Sequence, residues 1–258
     1  MKSESFDKLT AESGLWIAGA VLVVAGLGWF LLEAIAAAQF PAYSYAHNYI
    51  SDLGVPELGM TEGRYMNSPL SWLANWMFIT QGILFLVAAV LVVRTATAGV
   101  GRRVFLLLAV VYAIGFALIG TFHGSAQAVA DGTYALHVLG GSLSAVCGIL
   151  AIIVAGLSAR RLGASVAYRA FSVGIGILGI VSMVMLSIIH DGNSTFNLIP
   201  VGIWERGICY AVIIWEIVTG AVLLVAGKTP ITPSTGDAAT GPAPRVPGQP
   251  DGARCPQL

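Results

Sequence analysis

The chain has 258 residues, of which 57 per cent are hydrophobic and only 10 per cent charged, where a soluble domain carries roughly a quarter. With a mean hydropathy of +0.82, it has too little charge to cover a soluble globule and too much apolar surface for general disorder. Lys plus Arg and Asp plus Glu both number 13, so no basic excess supports nucleic-acid binding. A polytopic membrane protein remains.

A helix needs about 20 apolar residues to cross a hydrocarbon core about 30 Å thick. Six runs have that length: roughly 14–38, 70–93, 104–122, 135–157, 170–190 and 204–226. The expected fold is an all-α bundle of six transmembrane helices over residues 14–227. The first run is too long for a signal-peptide core and has no small-residue cleavage site close behind it, so it reads as a retained anchor. Orientation follows from the Lys/Arg bias. Lys2 and Lys8 precede the first run. Arg94, Arg102 and Arg103 separate the second from the third, and Arg160, Arg161 and Arg169 the fourth from the fifth. Lys228, Arg245 and Arg254 follow the sixth. Eleven of the 13 basic residues thus share one side, and only Arg64 and Arg206 fall on the other. Both termini, including residues 1–13, are expected in the cytoplasm, and the protein in the cell membrane as a multi-pass chain.

Residues 228–258 hold seven of the eleven prolines, among Gly, Ser, Thr and Asp. Such material buries too little apolar area to offset its ordering entropy, and a disordered cytoplasmic tail is expected. The one long loop, 39–69, contains four Tyr and His47, and Trp72 and Trp76 follow it; partial order against the membrane surface is expected. Cys147 and Cys209 lie in apolar runs and Cys255 in the tail, which gives no disulfide framework and no Cys-based zinc site. Cys255-Pro256-Gln257-Leu258 lacks the aliphatic pair of a prenylation box.

Gly174, Gly176 and Gly179 spell G-x-G-x-x-G. The dinucleotide reading requires strand, turn and helix, and this match sits inside an apolar run, so close helix packing through small residues is expected. Gly140, Ser144 and Gly148 make a second such face.

Polar residues gather on the outer side. His47 is in the long loop, His123 ends the third run, His137 opens the fourth and His190 ends the fifth. Asp52, Asp131, Asp191, Glu205 and Arg206 join them. Glu33 lies about 7–8 Å into the apolar layer, a costly depth unless the carboxylate is paired or faces a wet cavity. Glu216, near the middle of the sixth run, is expected to be protonated or paired. His123, His137 and His190 at one level offer a facial site for a divalent metal such as zinc, with a position open for water. Asp52, Asp191 or Glu205 would then serve as fourth ligand, outer hydrogen-bond acceptor or general base. No H-x-x-x-H or H-E-x-x-H spacing supports the metal, and each histidine also reads as an interfacial anchor. Glu205 and Arg206 project about 100° apart on a helix and so take separate partners. For Arg206 these are Asp52, Asp191 or Glu33, in a structural ion-pair network, or else an anionic headgroup.

The most distinctive run is His47-Asn48-Tyr49-Ile50-Ser51-Asp52-Leu53-Gly54. Ser51-Asp52 is expected to cap a turn, Gly54 to supply a positive φ, and Ile50 and Leu53 to dip into the membrane. Ile50-Ser51-Asp52-Leu53-Gly54 resembles the signature of a bacterial family of six-span integral membrane proteins, the domain-of-unknown-function 998 family. The likeness covers roughly residues 13–226 and takes in His123, His190-Asp191-Gly192 and Trp204-Glu205-Arg206-Gly207. It implies a six-helix membrane fold and no established activity, and it marks Ser51, Asp52, His123, His190, Glu205 and Arg206 as residues to test.

Two functional classes follow. One is an outer polar pocket that binds a lipid or small amphiphile, in its enzymatic form a metal-dependent hydrolase or transferase acting on a lipid. Its catalytic groups would come from Ser51, Asp52, His123 and His190, and its ligand contacts from Glu33, His47, Asp191, Glu205 and Arg206. The other is a non-catalytic scaffold or partner subunit for another membrane protein. A transporter lacks an inverted repeat, and a transmembrane haem path lacks inner-face histidines.

Overall fold

The computed structural model describes residues 2–95, 99–162, 164–190 and 199–226. Its six long helices are α1 (Lys2–Gln39), α2 (Ser71–Thr95), α3 (Val100–Thr121), α5 (Tyr134–Ser158), α6 (Val166–His190) and α7 (Val201–Ala226); a short α4 (Ala126–Asp131) lies between α3 and α5. All six are long and apolar enough to cross a membrane. The helix of the first apolar run reaches back to Lys2. The proline-rich tail lies outside the described residues.

The helices close into a ring in the order α1, α2, α3, α5, α6, α7, with α7 returning against α1. Sequence neighbours run antiparallel, as short connections require. Glycines sit in the seams. A Cβ on Gly19 would lie 2.8 Å from the Gly220 carbonyl oxygen, and one on Gly115 would lie 2.6 Å from the Ser144 nitrogen. Close backbone approach is how helices associate in lipid, where hydrocarbon competes with every apolar contact. Both small-residue faces behave in this way. Gly140 meets α3 at Gly115 and Leu118, Gly148 meets Tyr112, and Gly176 and Gly179 meet Ile153 and Ile149 of α5. Gly174 alone of its motif faces open space.

Aromatic rings fill the interior. Trp29 lies 5.6 Å from both Phe78 and Phe116, Phe116 lies 4.8 Å from Tyr112, and Tyr112 lies 4.6 Å from Phe85. Leu27, Leu31, Leu107, Ile177 and Leu178 face outward and are exposed, as a lipid-facing surface requires. Glu216 is fully buried and hydrogen-bonded: one carboxyl oxygen accepts from Nε2 of Gln81 at 2.6 Å. Its other oxygen is buried without a partner. Cys147 and Cys209 are free thiols.

One end of the bundle carries residues 40–70, here called the loop end. A two-stranded hairpin, β1 (Gly59–Thr61) and β2 (Arg64–Met66), pairs Thr61 with Arg64. Glu62 and Gly63 turn it with φ of 48° and 76°; two positive values are what a tight hairpin turn demands. The order expected of this loop thus takes the form of a hairpin and the 3₁₀ turn described next.

Candidate functional site

Residues 40–54 fold down onto the bundle. Asn48 accepts the Ser44 N–H at 3.0 Å, and Ser51–Gly54 form one turn of 3₁₀ helix. The fold uses every residue of the Ile50–Gly54 run. The backbone N–H groups of Ile50 and Ser51 donate to the Glu205 carboxylate, which matches the preference of a helical N-terminus for an acid. Asp52, 2 per cent exposed, accepts from Asn48 Nδ2 at 3.1 Å, Tyr49 N at 3.0 Å and Arg64 Nε at 2.9 Å. The Leu53 carbonyl accepts from the Ser68 hydroxyl at 2.6 Å, and that of Gly54 from Asn75 Nδ2 at 2.9 Å.

Two expectations for this run are corrected. Ile50 and Leu53 are buried in the protein core, not in the bilayer. Polar groups on either side bind protein partners, and that draws the apolar pair inward. Gly54 is not among the positive-φ glycines. Its need is space, because a Cβ there would collide with Oδ1 of Asn75.

Deeper in, Arg206 ties the loop to α1. One terminal nitrogen donates to the carbonyls of Tyr45 (2.6 Å), Asn48 (2.9 Å) and Gly202 (3.1 Å). The other donates to Glu33 Oε1 at 3.1 Å and the Tyr43 hydroxyl at 2.6 Å. Glu33 also receives Trp29 Nε1 and the Tyr210 hydroxyl, each at 3.1 Å. Of the acids that Arg206 could pair with, it meets Glu33 and, among the described residues, not Asp52; Asp191 lies outside the described residues. Glu205 and Arg206 do have separate partners. Arg206 directs its terminal nitrogens into the chain itself, so it acts as a clamp that positions the loop.

Between this clamp and the hairpin lies a cavity of about 340 Å³. Ser51, Asp52, Glu205, Glu62, Arg64 and Tyr49 line it from the loop and α7, Gly124, Tyr134, His137 and Val138 from the α3–α5 side, and Leu186 and Ser187 from α6. Arg64 holds Asp52 on one side and Glu62 at 3.2 Å on the other, and its guanidinium sits 4.3 Å from the Tyr49 ring centre. Burial would weaken its charge, but the Asp52 carboxylate raises its pKa above the usual arginine value. The Tyr134 hydroxyl donates to Glu62 at 2.8 Å.

Ser51, Asp52, His137 and Glu205 therefore share one cavity. His123 is held elsewhere: Asn75 donates to its Nε2 at 3.2 Å, and Glu57 lies 4.0 Å from its Nδ1. His47 is exposed at the surface. The side chain of His190, and Asp191 altogether, lie outside the described residues. Among the described residues, no three of His, Cys, Asp and Glu stand close enough to share a metal ion. Arg64, Glu62, Tyr49, Tyr134 and Gly124 were not singled out from the sequence. For Arg64 a signal existed, since it is one of two basic residues on the acid-rich side.

Burial lifts the Tyr49 phenol against the opposing charge of Arg64, up to about 12. Tyr43 is also raised by burial, again in spite of a nearby arginine, Arg206. Below pH 10 these phenols are protonated in folded and unfolded chains alike. Between about pH 10 and 12 the unfolded chain loses the protons first. Stability is therefore expected to fall as pH rises through that window. Unfolding followed at stepped alkaline pH should show the fall, and it should be reduced in Tyr49→Phe; a flat profile would contradict the burial of these rings.

The family model described as "Protein of unknown function (DUF998)" matches residues 23–222. The chain belongs to this family. The match spans the six-helix bundle from α1 to α7, including the Ile50–Gly54 run and the cavity, so the DUF998 region and the ring of helices are nearly the same object. No curated protein and no solved structure matches the chain.

Proposed function

We propose that this DUF998 protein binds the headgroup of a lipid or small amphiphile in the loop-end cavity, at the outer leaflet, with the ligand entering sideways between α5 and α6. The observation that carries this reading is the make-up of the wall. Its inner part is polar, with Asp52, Glu205, Arg64 and His137, while its α5–α6 edge is Val138, Leu186 and Ser187. Val138 is 47 per cent exposed on the bundle surface and lines the cavity as well. A polar chamber whose side edge carries Val138 and Leu186, with the Ser187 hydroxyl turned to its own helix at the Met183 carbonyl, suits a molecule that has a polar head and an acyl tail. The outer placement is supported by Arg94, Arg102, Arg103, Arg160, Arg161 and Arg169, which all fall at the opposite end, since basic residues favour the cytoplasmic side.

Photolabelling of the purified full-length protein with a diazirine-bearing alkanol tests this. Labels are expected to concentrate on Val138, Leu186 and Ser187. Val138→Trp, which would fill the edge, is expected to cut that labelling severalfold. Labels spread evenly over the lipid-facing helices and indifferent to Val138→Trp would refute lateral entry.

A further inference from the structure

The hydrogen-bonding inventory of the wall restricts the headgroup further, given the ligand site proposed above. His137 Nδ1 lies 2.8 Å from the carbonyl oxygen of Phe122. A carbonyl only accepts, so Nδ1 carries the hydrogen, and in the neutral ring Nε2 carries the lone pair. Among the described residues no group bonds Nε2. The space beside it is kept by Gly124, another lining residue: a Cβ there would stand 3.1 Å from Nε2. The absence of a side chain at 124 thus leaves a fixed acceptor facing the cavity.

The cationic donor of the wall, by contrast, is spent, and the hydroxyls of Ser51 and Tyr49 remain as neutral donors. All three guanidinium nitrogens of Arg64 point to Asp52 or Glu62. The Tyr134 hydroxyl goes to Glu62, and the Ile50 and Ser51 N–H groups go to Glu205. In formal charge, Asp52 and Glu205 alone outnumber Arg64. A ligand that brings further acceptors or negative charge would meet a wall already rich in both. One that brings N–H donors and positive charge meets an open acceptor and a surplus of carboxylate.

We propose that the cavity selects a primary ammonium headgroup, which donates to Nε2 of His137 and sets its charge against Asp52 and Glu205. His137 is then a ligand contact, and Gly124 a specificity position.

Competition against the diazirine alkanol tests the assignment with three probes of equal chain length: dodecylamine, dodecyltrimethylammonium and dodecyl sulfate. The two cations share a charge and differ in N–H donors. Dodecylamine is expected to displace the label at about tenfold lower concentration than the trimethyl compound, the worth of one charge-assisted hydrogen bond. His137→Phe is expected to erase that difference and leave both cations ahead of the sulfate. Gly124→Ala, a one-carbon change that covers Nε2, should reduce the difference without disturbing the fold, and it keeps the test available if His137→Phe fails to assemble. Equal displacement by the two cations, or strongest displacement by dodecyl sulfate, overturns the ammonium assignment while the cavity labelling still stands. Cavity labelling that none of the three displaces also overturns it. Absence of cavity labelling at the outset overturns the lateral-entry reading, and the ammonium assignment with it.

Discussion

Replacing Arg206 by leucine is expected to destabilise the bundle by about 3–5 kcal/mol, the usual loss when one partner of a buried ion pair is removed. Glu33 is 1 per cent exposed and has Arg206 as its cation. In the variant the carboxyl keeps Trp29 and Tyr210 as donors but loses the charge that balances it in an apolar layer. The Tyr45 and Asn48 carbonyls, which now accept from the guanidinium, would lose their donor as well, so the loop should loosen together with the bundle. Glu33→Gln in the same chain removes the stranded charge and should restore part of the loss. Thermal unfolding of the four variants in detergent measures the coupling. A loss below about 1 kcal/mol, the level of an exposed pair, or strict additivity of the two substitutions would show that the clamp does not hold the ends together.

Asp52→Ala is expected to have the second-largest effect, about 1.5–3 kcal/mol, as for a buried charged acceptor whose donors are left unmade. Three donors converge on one of its oxygens: Asn48, Tyr49 and Arg64. Arg64 is partly exposed and can turn to water, which keeps the figure below that for Arg206. The consequence for the cavity is larger than the energy suggests, since Asp52 fixes both the hairpin, through Arg64, and the turn that carries Ser51. Limited proteolysis should cut residues 55–68 sooner in Asp52→Ala than in the parent protein, and alkanol labelling of Val138 should weaken in parallel. A loop as resistant as the parent's, with labelling unchanged, would remove Asp52 from this role. Asp52→Asn keeps the shape but turns an amide toward Arg64, and it should fall between the two.

Much of the architecture was legible because the bilayer imposes it. A run such as 204–226 has no other state than a spanning helix, for its backbone must satisfy itself. The depth of Glu33 likewise demanded a partner before any partner was visible, and the distinctive Ile50–Gly54 run pointed to the segment that packs under the hairpin. That Arg64 is one of only two basic residues expected on the acid-rich side was visible too, but its meaning was not. Nothing in its neighbourhood in the chain indicates that a hairpin turn at Glu62 and Gly63 folds it back onto Asp52.

The amino-acid sequence alone determined the number of spanning helices, most of their bounds, the gathering of most basic residues at one end and of the histidines at the other, and the family. Tertiary structure decided which of these polar groups meet. Glu33 and Asp52 were both available to Arg206, and the rotation of α7 against α1 chose Glu33. His123 and His137 stand on adjacent elements, yet one turns to Asn75 and the other to Phe122 and the cavity. The reason is physical. When every face of a helix is apolar, hydrophobic periodicity does not set its rotation. Glycine contacts and buried polar pairs set it instead, and both come into being only when the helices pack.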